Sequence, residues 1–177
     1  MRASQSTAVH EAGHAVMAHL LHRGPVIRMG AVPSNERNGF TDFRHTRKDW
    51  LDPAVPLTRH GRQWLWDFTL IAIAGYLTQR DRYPETPEGS LGPDIRNAQA
   101  LALRACENDE ARAIAYVTKA AERLSLYTEQ SIYWTLIDAL AQALTKHGIL
   151  TGSQVRDILV AATKSYSVKS GRLRQLG

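Results

Sequence analysis

Two histidines four residues apart, His10 and His14, with Glu11 between them, lie in a run from Thr7 to His22 that has the apolar spacing of one helix. At about 100° per residue, positions four apart stand about 40° from each other and roughly 6 Å along the axis, so both imidazoles leave one face. Two neutral imidazoles so placed can close on one divalent ion. Zinc is the commonest choice, because it takes nitrogen ligands in a tetrahedral site and has no redox chemistry. Glu11 sits beside the first ligand, where a carboxylate can take a proton from water activated by the metal. The competing reading is a plain amphipathic helix, since Val9, Ala12, Val16 and Leu20 form an apolar stripe that would bury without any metal. His19, about 140° round the axis from His14, and His22, about 80° round and two turns on, cannot join the pair from within the helix. No glycine and third histidine follow three and six positions after His14 either. A third ligand must come from a distant segment.

The 177 residues suffice for one packed domain and are short for two, and the patterning assigns that domain to residues 1–163. The longest apolar run, Leu65 to Leu77, is broken by Asp67 and Thr69 and falls short of the roughly 18 residues a membrane span needs. The N-terminus lacks the pattern of a secretory signal, and one cysteine, Cys106, rules out an internal disulfide framework. Both features suit a reducing cytoplasm, and Cys106 reads as buried packing. Much of the net charge of +5 is spread over helices or gathered near the end, where Lys164, Lys169, Arg172 and Arg174 stand among serines and glycine. Residues 164–177 therefore read as a basic, mobile tail, and no nucleic-acid motif accompanies the charge.

After the first helix, Gly24-Pro25 stops the pattern and Val26 to Val32 reads as a strand. Pro33 to Asn38 leads to the turn signal Asn38-Gly39, and Phe40 to Phe43 returns as a second strand. Pro53 and Pro56 precede a long helix from Leu57 to about Gln79, whose Trp64, Phe68, Ile71 and Gly75 recur at intervals of four, three and four. A glycine inside a helix costs about 1 kcal/mol relative to alanine, which predicts close packing of another element at Gly75. Asp81 to Gly92 is a Pro/Gly-rich loop delivering the chain to Pro93-Asp94 at the start of a helix. From position alone Asp94 reads first as a helix-dipole partner, a role worth roughly 0.3–1 kcal/mol. Three more helices are predicted, at Asp109 to Leu124, Glu129 to His147 and Gln154 to Thr163. Thr128 would cap the second and a Thr151/Gln154 capping box the third, with Gly148 as the stop between them. Ile132, Leu136, Ala139 and Ala143 form the stripe expected to pack this half. The expected class is mainly α (α+β), with a two- or three-stranded sheet near the histidine helix.

Three separated segments together resemble one family. Thr7-Ala8-Val9-His10-Glu11-Ala12-Gly13-His14-Ala15-Val16 is similar to the zinc helix of the FtsH-type ATP-dependent metalloprotease peptidase domain. Ile73-Ala74-Gly75-Tyr76 is similar in place to that family's Gly-Gly-Arg-Ala-Ala-Glu helix, and Gly89-Ser90-Leu91-Gly92-Pro93-Asp94-Ile95 to the loop and helix start carrying its zinc-binding aspartate. The resemblance spans nearly the whole chain and implies a zincin-like helical fold. It also implies one Zn2+ bound by His10, His14 and Asp94, with water in the fourth position and Glu11 as general base. The activity implied is a metalloendopeptidase acting on unfolded or partner-delivered polypeptides, held by an edge strand that includes Ile27, Arg28, Met29, Gly30 and Ala31.

The chain departs from the family at Ala74, Tyr76, Leu77, Thr78 and Gln79, where the family has Gly and then Arg, Ala, Ala and Glu. It also has no Gly-x-x-x-x-Gly-Lys-Ser/Thr loop, so unfolding of substrates would need a separate ATPase chain. Family relatives form hexameric rings, which makes a homo-oligomer a further implication. The alternative is a non-catalytic zinc-binding module of the same fold, acting on a partner; the intact Glu11 separates the two readings, because a structural zinc site has no need of it.

Overall fold

A computed structural model describes residues 5–31, 39–44, 49–85 and 92–174. The elements run α1 (Gln5–Leu20), β1 (Val26–Gly30), β2 (Phe40–Phe43), a 3-10 turn (Asp49–Leu51), α2 (Arg59–Arg82), α3 (Gly92–Ala105), α4 (Glu110–Thr128), α5 (Ser131–His147), β3 (Ile149–Thr151) and α6 (Gly152–Arg174). The chain is mainly helical with one small antiparallel sheet, as its patterning predicts. Among the described residues no helix is long and apolar enough to cross a membrane. Val32, Pro33 to Asn38 and Gly89 to Leu91 lie outside the described residues, as do residues 175–177 of the expected tail.

α1 is the hub. Every residue from Glu11 to Ala18 is buried, because α1 packs against α2 on one side, α5 on another and the sheet on a third. The predicted stripe was therefore too narrow: Ala8, Ala15 and Met17, outside it, are also fully enclosed. At the α1–α2 crossing two glycines face each other, and a Cβ on Gly13 would stand 2.7 Å from the Ala74 carbonyl oxygen and 3.0 Å from the Gly75 Cα. The close packing predicted at Gly75 is this crossing. α2 starts with Thr58, whose side chain accepts from the Gly61 N–H, so one orphan donor of the first turn is satisfied. Its Trp64 stacks on Phe68 with ring centroids 4.2 Å apart, which makes these aromatics core rather than ligand-binding surface.

The second half differs from expectation in three places. Thr128 ends α4, and Gln130 occupies the cap position of α5 without a side-chain cap bond. The buried face of α5 is Tyr133, Leu136, Ile137, Leu140, Ala141 and Leu144, so of the predicted stripe only Leu136 is fully enclosed. Tyr133 belongs to that face because its hydroxyl meets Thr78 Oγ1 at 2.6 Å, removing the cost of burying a polar tip. α6 continues past Thr163 to Arg174, which corrects the mobile tail over residues 164–174. Val155, Leu159, Ala162, Tyr166 and Ser170 keep one helical face turned inward, with Tyr166 bonded to Ser131 at 2.7 Å. The capping box holds as expected: Thr151 N–H donates to Gln154 Oε1 at 2.8 Å, and Gly148, at φ 75°, ends α5.

The sheet order is β2-β1-β3. β1 is thus the central strand, not an edge: Arg28, Met29 and Gly30 pair with Asp42, Thr41 and Phe40 on one side and with Thr151, Leu150 and Ile149 on the other. β3 fills the second side of β1 with only three residues, directly after the α5 cap, a run too short to betray a strand by its pattern. Met29 and Leu150 are fully buried on the inner face, whereas Ile149 is half exposed on the outer one.

Candidate metal centre

α1 directs His10 and His14 toward the first turn of α3, where Asp94 stands. His10 Nε2 lies 2.9 Å from Asp94 Oδ2, His14 Nε2 lies 3.2 Å from the same oxygen, and the two Nε2 atoms are 3.2 Å apart. Two atoms bound to one tetrahedral zinc at about 2.0–2.1 Å would stand about 3.3 Å from each other. The triangle is a few tenths of an ångström tighter than that, and it is the only group of three or more His, Cys, Asp or Glu among the described residues with metal-binding proximity.

The tautomers follow from what the other ring nitrogens touch. His14 Nδ1 lies 2.7 Å from the Ile71 carbonyl oxygen, which can only accept, so Nδ1 carries the hydrogen. His10 Nδ1 lies 2.9 Å from Gln79 Oε1, which accepts from it, and the Gln79 amide N–H2 in turn donates to Ser6 Oγ at 2.6 Å. In the neutral rings both Nε2 atoms then present lone pairs to each other and to the buried Asp94 Oδ2, which receives a hydrogen bond there only when one of the two nitrogens is protonated. Three acceptors facing one another repel unless a cation or a proton stands among them. This donor set of two imidazoles and a carboxylate fits Zn2+, with each imidazole oriented by an outer acceptor.

Without a metal, a proton serves as that cation. Burial works against a charged His14, but the hydrogen bond and charge of Asp94, helped by Glu11 and the Ile71 carbonyl, outweigh it and push the imidazole up to about 9. Burial also works against a charged Asp94, yet the contacts with His10 and His14 hold its carboxyl far below the usual range. Gly75 makes the site possible sterically: a Cβ there would stand 2.3 Å from His14 Nε2.

Glu11 is buried beside the pair, 6% exposed, and its Oε2 accepts from the Thr41 hydroxyl at 2.6 Å. Ile27 and Arg28 are exposed on the sheet, Arg28 being tied to Asp42 at 2.7 Å, while Met29 and Ala31 are fully buried. Because Arg28, Met29 and Gly30 are paired on both sides and the Ala31 N–H donates to the Gly148 carbonyl at 2.9 Å, these four residues have no free edge to offer a polypeptide. This corrects their assignment as an edge strand. Among the described residues, the open edge near Glu11 is the outer side of β2. His19 and His22 take no part in the triangle. Cys106, buried just after α3 beside Ala102 and Ala113, is packing as expected.

Sequence reasoning missed Gln79 and Thr41. Gln79 stands out in the chain only as a departure from the family's glutamate, and its contact with His10 arises from the α1–α2 crossing. If it orients His10, Gln79→Leu should weaken zinc binding by about 10–100-fold while the helical content stays unchanged. Competition against a chromogenic chelator measures this, and an unaltered affinity would remove Gln79 from the site. No protein-family model matches this chain, and comparison with curated proteins gives no match either.

Proposed function

We propose that this protein is a zinc-dependent metalloendopeptidase of the kind its sequence resembles, the FtsH-type peptidase domain, working on unfolded or partner-delivered polypeptides. The observation that carries this reading is the convergence of His10 Nε2 and His14 Nε2 on the buried Asp94 Oδ2, with the Glu11 carboxylate buried next to them. His10, His14 and Asp94 would hold the ion. Zinc bound there supplies Lewis-acid chemistry, polarising a carbonyl and acidifying water.

The remaining steps belong to the protein's own residues. Glu11 accepts the proton of the attacking water and hands it to the leaving amine nitrogen, a general acid–base contribution of about 10²–10⁴-fold. The Ile71 carbonyl and the Gln79 amide keep both imidazole lone pairs turned inward throughout. An extended substrate adds to the outer side of β2 through main-chain hydrogen bonds, with little regard for side-chain identity. No phosphate-binding loop lies within these 177 residues, so this reading assigns them peptide hydrolysis and not substrate unfolding.

The test is Glu11→Gln. The variant should hold one zinc per chain, as wild type does, while cleavage of unfolded casein falls by at least about 10²-fold. Equal activity in the two proteins would reject Glu11 as the base. Zinc in both with cleavage in neither would favour the non-catalytic zinc-binding module.

A further inference from the structure

Thr41 is out of place by the logic of its own strand. On the inner face of the sheet it stands in one row with Met29, its partner on β1, and Leu150, both fully buried and apolar. A row that did nothing but pack against α1 would take valine there, which has the same shape and no hydroxyl to satisfy. The hydroxyl is satisfied by Glu11, donating to Oε2 at 2.6 Å with the Glu11 carbonyl oxygen a further 3.3 Å contact. A hydrogen bond from a neutral donor to a buried carboxylate is among the stronger kinds a protein makes. The same stretch of chain closes over the other oxygen. A Cβ on Gly39 would stand 2.4 Å from Glu11 Oε1, 2.8 Å from Thr7 Cγ2 and 2.9 Å from Glu11 Cγ, so a side chain there would make Glu11 and Thr7 shift.

We propose that Thr41 is a positioning residue for Glu11: its hydroxyl, with the Gly39 backbone above, holds the carboxylate in one orientation from the strand at the open edge of the sheet. The inference rests on the peptidase reading and extends it. The general base is set by β2 as well as by its own helix, and a polypeptide paired along β2 lies against the strand that aims it.

The test compares wild type, Thr41→Val, Thr41→Ser and Gly39→Ala for zinc content and for kcat and KM on a fluorogenic peptide. Thr41→Val should keep its zinc and a KM within about twofold while kcat falls about 10- to 100-fold, and Thr41→Ser should recover most of the loss. Gly39→Ala should also lower kcat with zinc retained. Wild-type kcat in Thr41→Val, or a loss confined to KM or to zinc content, overturns the proposal and leaves the peptidase reading intact. A zinc-loaded but inactive wild type overturns both. A readout independent of activity is a double-mutant cycle on urea unfolding with Thr41→Val and Glu11→Ala. The two changes should be coupled by about fivefold or more in the unfolding equilibrium, and additivity would remove the contact on which the proposal stands.

Discussion

Asp94→Ala is expected to purify without zinc and to leave casein intact, while its far-ultraviolet circular dichroism matches that of wild type. Asp94 is the one carboxylate in the triangle, and its Oδ2 is the atom on which both Nε2 atoms converge. Outer-shell partners of metal ligands are worth about 10–100-fold in affinity, so losing the ligand itself should cost more than about 10²-fold. The fold should survive. Asp94 lies in the first turn of α3, where its interaction with the helix dipole contributes about 0.3–1 kcal/mol, and α3 is anchored further along by Ala98 and Ala102. Elemental analysis of the purified variant is the measurement. Wild-type zinc affinity in Asp94→Ala would mean that the ion is held elsewhere.

Gly75→Ala should be destabilising against the expectation from helix propensity. Alanine gains about 1 kcal/mol over glycine in an exposed helix interior. Here the added methyl would stand 2.3 Å from His14 Nε2, 2.6 Å from Cε1 and 2.7 Å from Cδ2, well within van der Waals contact of the imidazole ring. α1 and α2 already meet at Gly13 and Gly75, so the ring must swing away, and doing so breaks its bond to the Ile71 carbonyl. Overpacking of this kind costs about 1–3 kcal/mol, and the displaced nitrogen should lose the zinc as well. Gly92→Ala is the control: the methyl there meets first the guanidinium end of Arg96, 2.7 Å away, which can move. Urea unfolding with zinc analysis should show loss of stability and of metal in Gly75→Ala and neither in Gly92→Ala. A Gly75→Ala protein as stable and as zinc-rich as wild type would rule out the packing described.

What could be read ahead of the coordinates was what is local. The i, i+4 histidines, the buried face of α2 and the Thr151/Gln154 box each depend on a few neighbouring residues, and each is found as expected. Asp94 was ambiguous because one carboxylate at a helix start satisfies a dipole whether or not two imidazoles face it. Gln79 and Thr41 were invisible because their partners, His10 and Glu11, are reached only through tertiary packing. The face of α5 was misplaced because Tyr133 carries a polar tip, and nothing in its own helix reveals that Thr78 awaits it. β1 was taken for an edge because its second neighbour is a three-residue strand far along the chain. The end of α6 was misjudged on composition, although Tyr166 and Ser170 continue the spacing set by Val155 and Leu159.

The helix with the histidine pair precedes in the chain every element that encloses it. As the protein emerges from the ribosome, α1 has neither α2 to lie against nor α5 to close its far side, and long-range closures of this sort slow folding. Asp94 arrives only with α3, so a nascent chain can offer an ion two imidazoles and no carboxylate. On the proposed reading, metal capture is thereby deferred until much of the domain has been made, and a polypeptide interrupted before that point would carry a half-assembled helix with an incomplete set of ligands.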